Sequence, residues 1–301
     1  MSDGELTKLE SALKSKDENA ITEITLSHSL KELIKIRDSY KSKFNRDLID
    51  DIEKYTKKDF CTVLSAIYKS PIEYDADLLY KAMKGIGTND EILIEIISFR
   101  SFSTLNKIKQ KFKEKYGKDL ISEIKSETSG DYRNTLISIL EKERNSNSNP
   151  DVDNCIKIAD ELYSAGEGKL GTNESVFVKY FTTLSAEEIV TVGKEYHKKY
   201  NKNIVGVIEN EMDGDLKKLM KSILYGLISP SEYFARQIGA AVKGIGTNDT
   251  QLIRSVVTGK DDMKMIKKYY KKLFQKNMAD DIKADTSGNY QKLLLWLIGE
   301  K

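Results

Sequence analysis

One pattern of two aromatics four residues apart, filled with lysines, returns four times along this chain of 301 residues. A fourfold repeat constrains the fold more tightly than composition can. The copies are YKSKFNRDL from Tyr40, FKEKYGKDL from Phe112, YHKKYNKNI from Tyr196 and YKKLFQKNM from Tyr270, offset by 72, 84 and 74 residues. Each extends upstream in phase: Leu33-Ile36-Tyr40-Phe44, Leu105-Ile108-Phe112-Tyr116, Ile189-Val192-Tyr196-Tyr200 and Met263-Ile266-Tyr270-Phe274. Spacings of three and four put the apolar groups on one helix face, so these aromatics are core residues. Each copy continues through an aliphatic stretch, a polar break (54–60, 126–132, 210–216, 284–290) and another apolar segment. No run alternates with period two long enough to make a strand. The pattern predicts an all-α chain of four units of about 70 residues, each a bundle of about five helices stabilised by its neighbours. The boundaries fall at 1–70, 71–144, 151–229 and 230–301, with the turn-rich NSNSNP at 145–150 as a linker.

Composition removes several function classes. A formal net charge of +2 lacks the basic excess of a nucleic-acid binder. The start MSDGELTK has no apolar leader core, and the longest apolar run, LLLWLIG at 293–299, falls far short of the ~20 residues of a membrane span. The chain is expected to be soluble and cytoplasmic. Its two cysteines, Cys61 and Cys155, lie in separate units and are expected to be reduced thiols. The only histidines, His28 and His197, stand in unrelated contexts, and no nucleophile–base constellation is visible. Neither an enzyme nor a small-molecule substrate is expected.

The chemistry gathers in three glycine loops. Unit two has MKGIGTND at 83–90, unit four VKGIGTND at 242–249, and unit three AGEGKLGTNE at 165–174, two residues longer. An acidic residue follows at a nearly fixed distance: Gly87 to Glu127 and Gly171 to Glu211 are 40 residues, and Gly246 to Asp285 is 39. A nucleotide loop needs a preceding strand or a GK[ST] ending, and neither is present. Helix termination accounts for the glycines but not for the distant acid. A calcium site accounts for both, because calcium takes six to eight oxygens at about 2.3–2.6 Å, carbonyls and carboxylates included. Thr88, Thr172 and Thr247 are expected to cap the following helix, and Thr88 with Glu91 has capping-box spacing.

These loops, the trailing SETSGDY and ADTSGNY, and the four units together resemble the annexin family over nearly the whole chain. The resemblance implies five helices per repeat in a right-handed superhelix, and a curved disc whose convex face carries calcium loops. Matched residue by residue, it implies three calcium sites. The carbonyls of Met83, Gly85 and Gly87 join Glu127; those of Gly166, Lys169 and Gly171 join Glu211; those of Val242, Gly244 and Gly246 join Asp285. It also suggests that Ile86, Leu170 and Ile245, inside the loops, face lipid headgroups, against the alternative that they pack inward. Unit one departs from the pattern: the loop is missing from LESALKSKDENAIT, and Tyr55 stands at the place of the distant acid. Unit four has an unusual TGKDD at 258–262 and the shorter Asp285.

The implied function is calcium-dependent, reversible binding to acidic, phosphatidylserine-like membranes. One carboxylate per loop makes each site weak without lipid, whose phosphate would complete the ion's shell. Several weak sites on one face add through effective concentration. The competing reading is an annexin-like structural protein of the cytoskeleton, similar to the alpha-giardins, with secondary membrane binding.

Overall fold

The computed structural model describes residues 2–168, 171–244 and 246–300. Among them every regular element is helical. The first repeat holds α1 Asp3–Ser15, α2 Glu18–Leu26, α3 Leu30–Phe44, α4 Leu48–Tyr55 and α5 Lys58–Ile67. The second holds α6 Pro71–Met83, α7 Asp90–Phe99, α8 Phe102–Tyr116, α9 Leu120–Glu127 and α10 Gly130–Glu141. The third holds α11 Val152–Ala165, α12 Glu174–Thr183, α13 Ala186–Tyr200, α14 Ile204–Glu211 and α15 Gly214–Ile228. The fourth holds α16 Pro230–Ala241, α17 Asp249–Gly259, a short 3-10 turn Lys260–Asp262, α18 Met263–Phe274, α19 Met278–Asp285 and α20 Gly288–Leu297.

The 3-4-4 stripe is the buried face of the third helix in every repeat. Its first three members are buried each time, as Leu33, Ile36 and Tyr40 are in α3, while the fourth aromatic is half-buried. Burying one such side chain is worth about 1.5–3 kcal/mol. The helix stops where one residue turns left-handed: Asn45, Gly117, Asn201 and Gln275 all have φ between 51° and 67°. A helix of eight residues follows, and its last position holds Tyr55, Glu127, Glu211 or Asp285. The fifth helix opens on another left-handed residue, a glycine in three repeats and Lys58 (φ 54°) in the first.

The repeated aromatics do more than fill the core. Tyr40 donates to Asp51 and Tyr270 to Asp281, each at 2.7 Å, tying the third helix to the fourth. In the middle repeats the second aromatic takes this part and ties the third helix to the first: Tyr116 donates to Asp77 and Tyr200 to Asp160, both at 2.6 Å. There it also stacks flat on Tyr80 or Tyr163, with centroids 3.8 Å apart.

This division matches the grouping of the chain into two compact units, Met1–Pro71 with Ser231–Lys301, and Ile72–Pro230. Within each unit the second helix of one repeat packs on the fifth helix of the other. α5 meets α17 and α2 meets α20 in the first unit; α7 meets α15 and α10 meets α12 in the second. Ser98 and Ser222 share a hydrogen bond of 2.8 Å across the α7–α15 contact, which is close enough that Gly226 admits no Cβ.

The stretch expected as a linker, 145–150, is strapped to the third repeat. The Asn145 N–H donates to Thr183 O at 2.7 Å, and the Ser185 hydroxyl to Asn147 O at the same distance. The Asn145 and Asn147 amides both reach the buried Glu188 carboxylate at 3.3 Å. Burial works to raise that carboxyl, but these bonds and the Ser185 N–H prevail and hold it below the ordinary range. Cys61 and Cys155 are both free thiols.

Candidate metal-binding loops

The three glycine loops share one closing bond. The N–H of Asn89 donates to Ala82 O at 2.8 Å, that of Asn173 to Ala165 O at 2.7 Å, and that of Asn248 to Ala241 O at 2.9 Å. Between these partners lie six residues in the second and fourth repeats and seven in the third. The third loop is therefore longer by one residue, not the two expected from the motif ends. The first repeat keeps the same bond, Asp17 N–H to Ala12 O at 2.9 Å, but spans only four residues with it.

The glycines are needed for conformation. Gly85 and Gly244 have φ near 120°, and Gly87, Gly171 and Gly246 lie between 81° and 86°. Open space surrounds the place of a Cβ at all five, so backbone strain and not crowding restricts them to glycine. Gly166 differs: it ends α11 at negative φ and is packed under Phe177 and Glu211. Lys84 and Lys243 fold back over the rings of Tyr80 and Phe274, at 5.5 and 4.6 Å.

Contrary to the sequence expectation, Thr88, Thr172 and Thr247 do not cap the following helices. Asn89 and Asn248 are the cap residues, accepting from the Ile92 and Gln251 N–H groups, and Asn173 holds the same position in the third repeat. The threonine hydroxyls turn the other way, toward the distant acid. Thr88 Oγ1 donates to Glu127 Oε2 at 2.9 Å. Thr172 Oγ1 reaches both the Glu211 carboxylate, at 2.7 Å, and its main-chain oxygen, at 3.1 Å. Thr247 Oγ1 meets the main-chain oxygen of Asp285 at 3.1 Å. The capping reading failed because asparagine one residue later is an equally good cap. That left the threonine free to join residues almost forty positions apart.

The structure thus brings each described loop beside its acid. The fourth repeat, one residue shorter between loop and acid, still brings Thr247 to Asp285, by its main-chain oxygen. The 3-10 turn at Lys260–Asp262 absorbs the difference upstream, and the count from the end of α18, Phe274, to Asp285 equals that from the end of α8, Tyr116, to Glu127. Glu127 and Asp285 are exposed and Glu211 is half-buried. Ile86 is fully exposed at its loop tip, so it does not pack inward. Lys169, Leu170 and Ile245 lie outside the described residues.

Further acids stand beside the loops. Asp90, just after the second-repeat loop, lies near Asp215 of the third repeat; burial, then the like charge of Asp215, push its carboxyl up against the opposing influence of the nearby Tyr132 hydroxyl. Asp59 is raised in the same way by burial and Asp249. Among the described residues no three His, Cys, Asp or Glu side chains converge. This is consistent with loops whose oxygens are mostly main-chain carbonyls.

The sequence model of the Annexin family matches residues 5–67, 74–139, 157–223 and 233–297. The chain belongs to the annexin family. This annexin is 37% identical over 284 residues to annexin A7 of Dictyostelium discoideum, a match covering 94% of the chain and 61% of that relative. The chain thus spans about three fifths of that relative's length. Annexin A13 of Mus musculus is 35% identical over 94% of this annexin and 89% of its own length. Among solved structures, annexin III superposes with a TM-score of 0.93 at 30% identity, covering 99% of this chain and 93% of that one. Calcium-bound annexin (Sm)1 does so at 0.82 and 27% identity, covering 99% and 90%. Alpha-14 giardin, at 18% identity and a TM-score of 0.81, shares the fold.

Proposed function

We propose that this annexin binds acidic phospholipid surfaces reversibly and in a calcium-dependent manner through the loops of its second, third and fourth repeats, bounded at 71–144, 151–229 and 230–301. The observation that carries this reading is the threonine tie, which three times holds a lone acid against a loop that turns left-handed at glycine. An array of neutral carbonyls with one carboxylate is an all-oxygen set suited to a hard cation. Support also comes from annexin (Sm)1, which has been solved with calcium bound.

The ligands would be the carbonyls of Met83, Gly85 and Gly87 with Glu127, of Gly166, Lys169 and Gly171 with Glu211, and of Val242, Gly244 and Gly246 with Asp285. Bound calcium would supply the positive charge that a lipid phosphate or carboxylate seeks. The chain's own part is to hold the loop oxygens open and keep each acid near them. The Thr88 and Thr172 hydroxyls orient the carboxylates beforehand, which reduces the ordering cost of binding. Ile86, exposed at its loop tip, would enter the headgroup layer, and Leu170 and Ile245 are proposed to do the same from the other two loops. Among the described residues no helix is long and apolar enough to cross a membrane, so attachment through these loops would be peripheral. The proposed location is the cytosolic membrane face when calcium rises.

Co-sedimentation with vesicles tests this reading. Phosphatidylserine-containing vesicles should pellet the protein as calcium rises and release it to a chelator, whereas neutral vesicles should not. Calcium-independent pelleting with filaments, without vesicle binding, would overturn it in favour of a cytoskeletal role.

A further inference from the structure

The second unit contains a cavity of about 310 Å³, none of whose lining residues belongs to the glycine loops. Its walls are the end of α7, the 99–102 connection, the end of α10 with Lys142–Arg144, and the face of α15. Phe99, Phe102, Ile139 and Leu227 give it an apolar body. Three cations line it, Arg100, Lys142 and Arg144, against the single carboxylate of Glu143.

The cations are not equivalent. Arg100 is committed, with two bonds of 2.6 and 2.9 Å to the buried Asp75 carboxylate. Arg144 is half-buried, and among the described residues its guanidinium has no carboxylate partner. Its one hydrogen bond is from Nη1 to Leu184 O, at 2.6 Å. Burial without a counter-charge pushes this group down to about 10. A guanidinium presents five N–H donors in a fork that matches a carboxylate. The remaining donors keep some contact with solvent and have no carboxylate to face among the described residues. The strapping of residues 145–147 to the third repeat holds this group in place.

We propose that this cavity binds a small amphiphilic monoanion, a carboxylate on a short alkyl chain or ring, with Arg144 holding the carboxylate and the apolar wall holding the tail. The volume is at the lower end for ligand pockets, which fits a small ligand. The apolar lining calls for a tail that bare inorganic anions lack.

Calorimetry on the full chain in calcium-free buffer tests this, with octanoate as the probe. Octanoate should bind saturably at one site. 1-Octanol, which lacks the charge and so the charge-assisted hydrogen bonds to Arg144, and acetate, which lacks the tail and so the apolar burial, should each bind at least about tenfold more weakly. Arg144→Met should weaken octanoate at least about tenfold, while Arg144→Lys retains part of the binding. Because Arg144 also touches the Leu184 carbonyl, Leu227→Trp supplies a second route: it fills the cavity, leaves the cation in place and should also abolish binding. Unaltered octanoate affinity in Arg144→Met, equal binding of 1-octanol, or no saturable heat with the parent protein would overturn the proposal. The vesicle reading is independent of all these outcomes.

Discussion

In the first repeat the chain passes from α1 to α2 through two residues; in the second it takes six between α6 and α7. Both keep the bond from the residue before the second helix to an alanine carbonyl, and both end the fourth helix after eight residues. What the first repeat lacks is the part outside the packing: the left-handed glycines, the threonine, and the acid, whose place Tyr55 fills beneath Lys54. A repeat can thus lose its site and keep its fold, because the glycine loop contributes little to the core. The first repeat also keeps the left-handed opening of its fifth helix with Lys58 where the others use glycine, accepting backbone strain there.

The largest effect should come from forcing the second loop toward the first repeat's condition. Gly87→Val places a β-branched residue at φ 86°. It should abolish calcium binding at that loop and lower stability by about 1–3 kcal/mol, read by calorimetry and urea unfolding. Removing only the charge should cost binding and little else. Glu127→Gln and Glu211→Gln are each expected to raise the calcium needed for vesicle binding several-fold, with stability within about 0.5 kcal/mol of the parent. Asp285→Asn should shift it less, because Asp285 has a shorter arm and Thr247 contacts its main chain and not its carboxylate. A destabilised Glu127→Gln protein would show that this acid serves the fold. In the other direction, Lys58→Gly should relieve the left-handed strain and stabilise the protein by about 1 kcal/mol, seen as a higher urea midpoint at unchanged slope. The smallest effect belongs to Tyr55→Glu. Restoring the acid without the loop should add no calcium site, and a calorimetric stoichiometry higher by one would contradict the view that the loop carbonyls are indispensable.

The third-helix stripe was legible because four copies of one spacing are hard to mistake, and so were the loops and their acids. The pairing of the outer repeats with one another and of the middle two was not legible. It depends on faces of the second and fifth helices, such as the Ser98–Ser222 and Gly226 contacts, that carry no repeated motif. The threonine role was misread because Thr88 and Glu91 fit a capping box locally, whereas the deciding partner is Glu127, thirty-nine positions away. The one-residue deletion of the fourth repeat is absorbed at the 3-10 turn Lys260–Asp262. A one-residue deletion matters only where it falls, and here it falls in a turn.

The central claim, that three loop acids make the membrane sites, is tested most directly by the triple variant Glu127→Gln, Glu211→Gln, Asp285→Asn. The measurement is calcium-titrated co-sedimentation with phosphatidylserine-containing vesicles, beside a calcium-free melt. The expected result is loss of calcium-dependent pelleting with a melting temperature equal to that of the parent. Pelleting at the parent's calcium concentration would contradict the account and place the membrane contact elsewhere on the molecule.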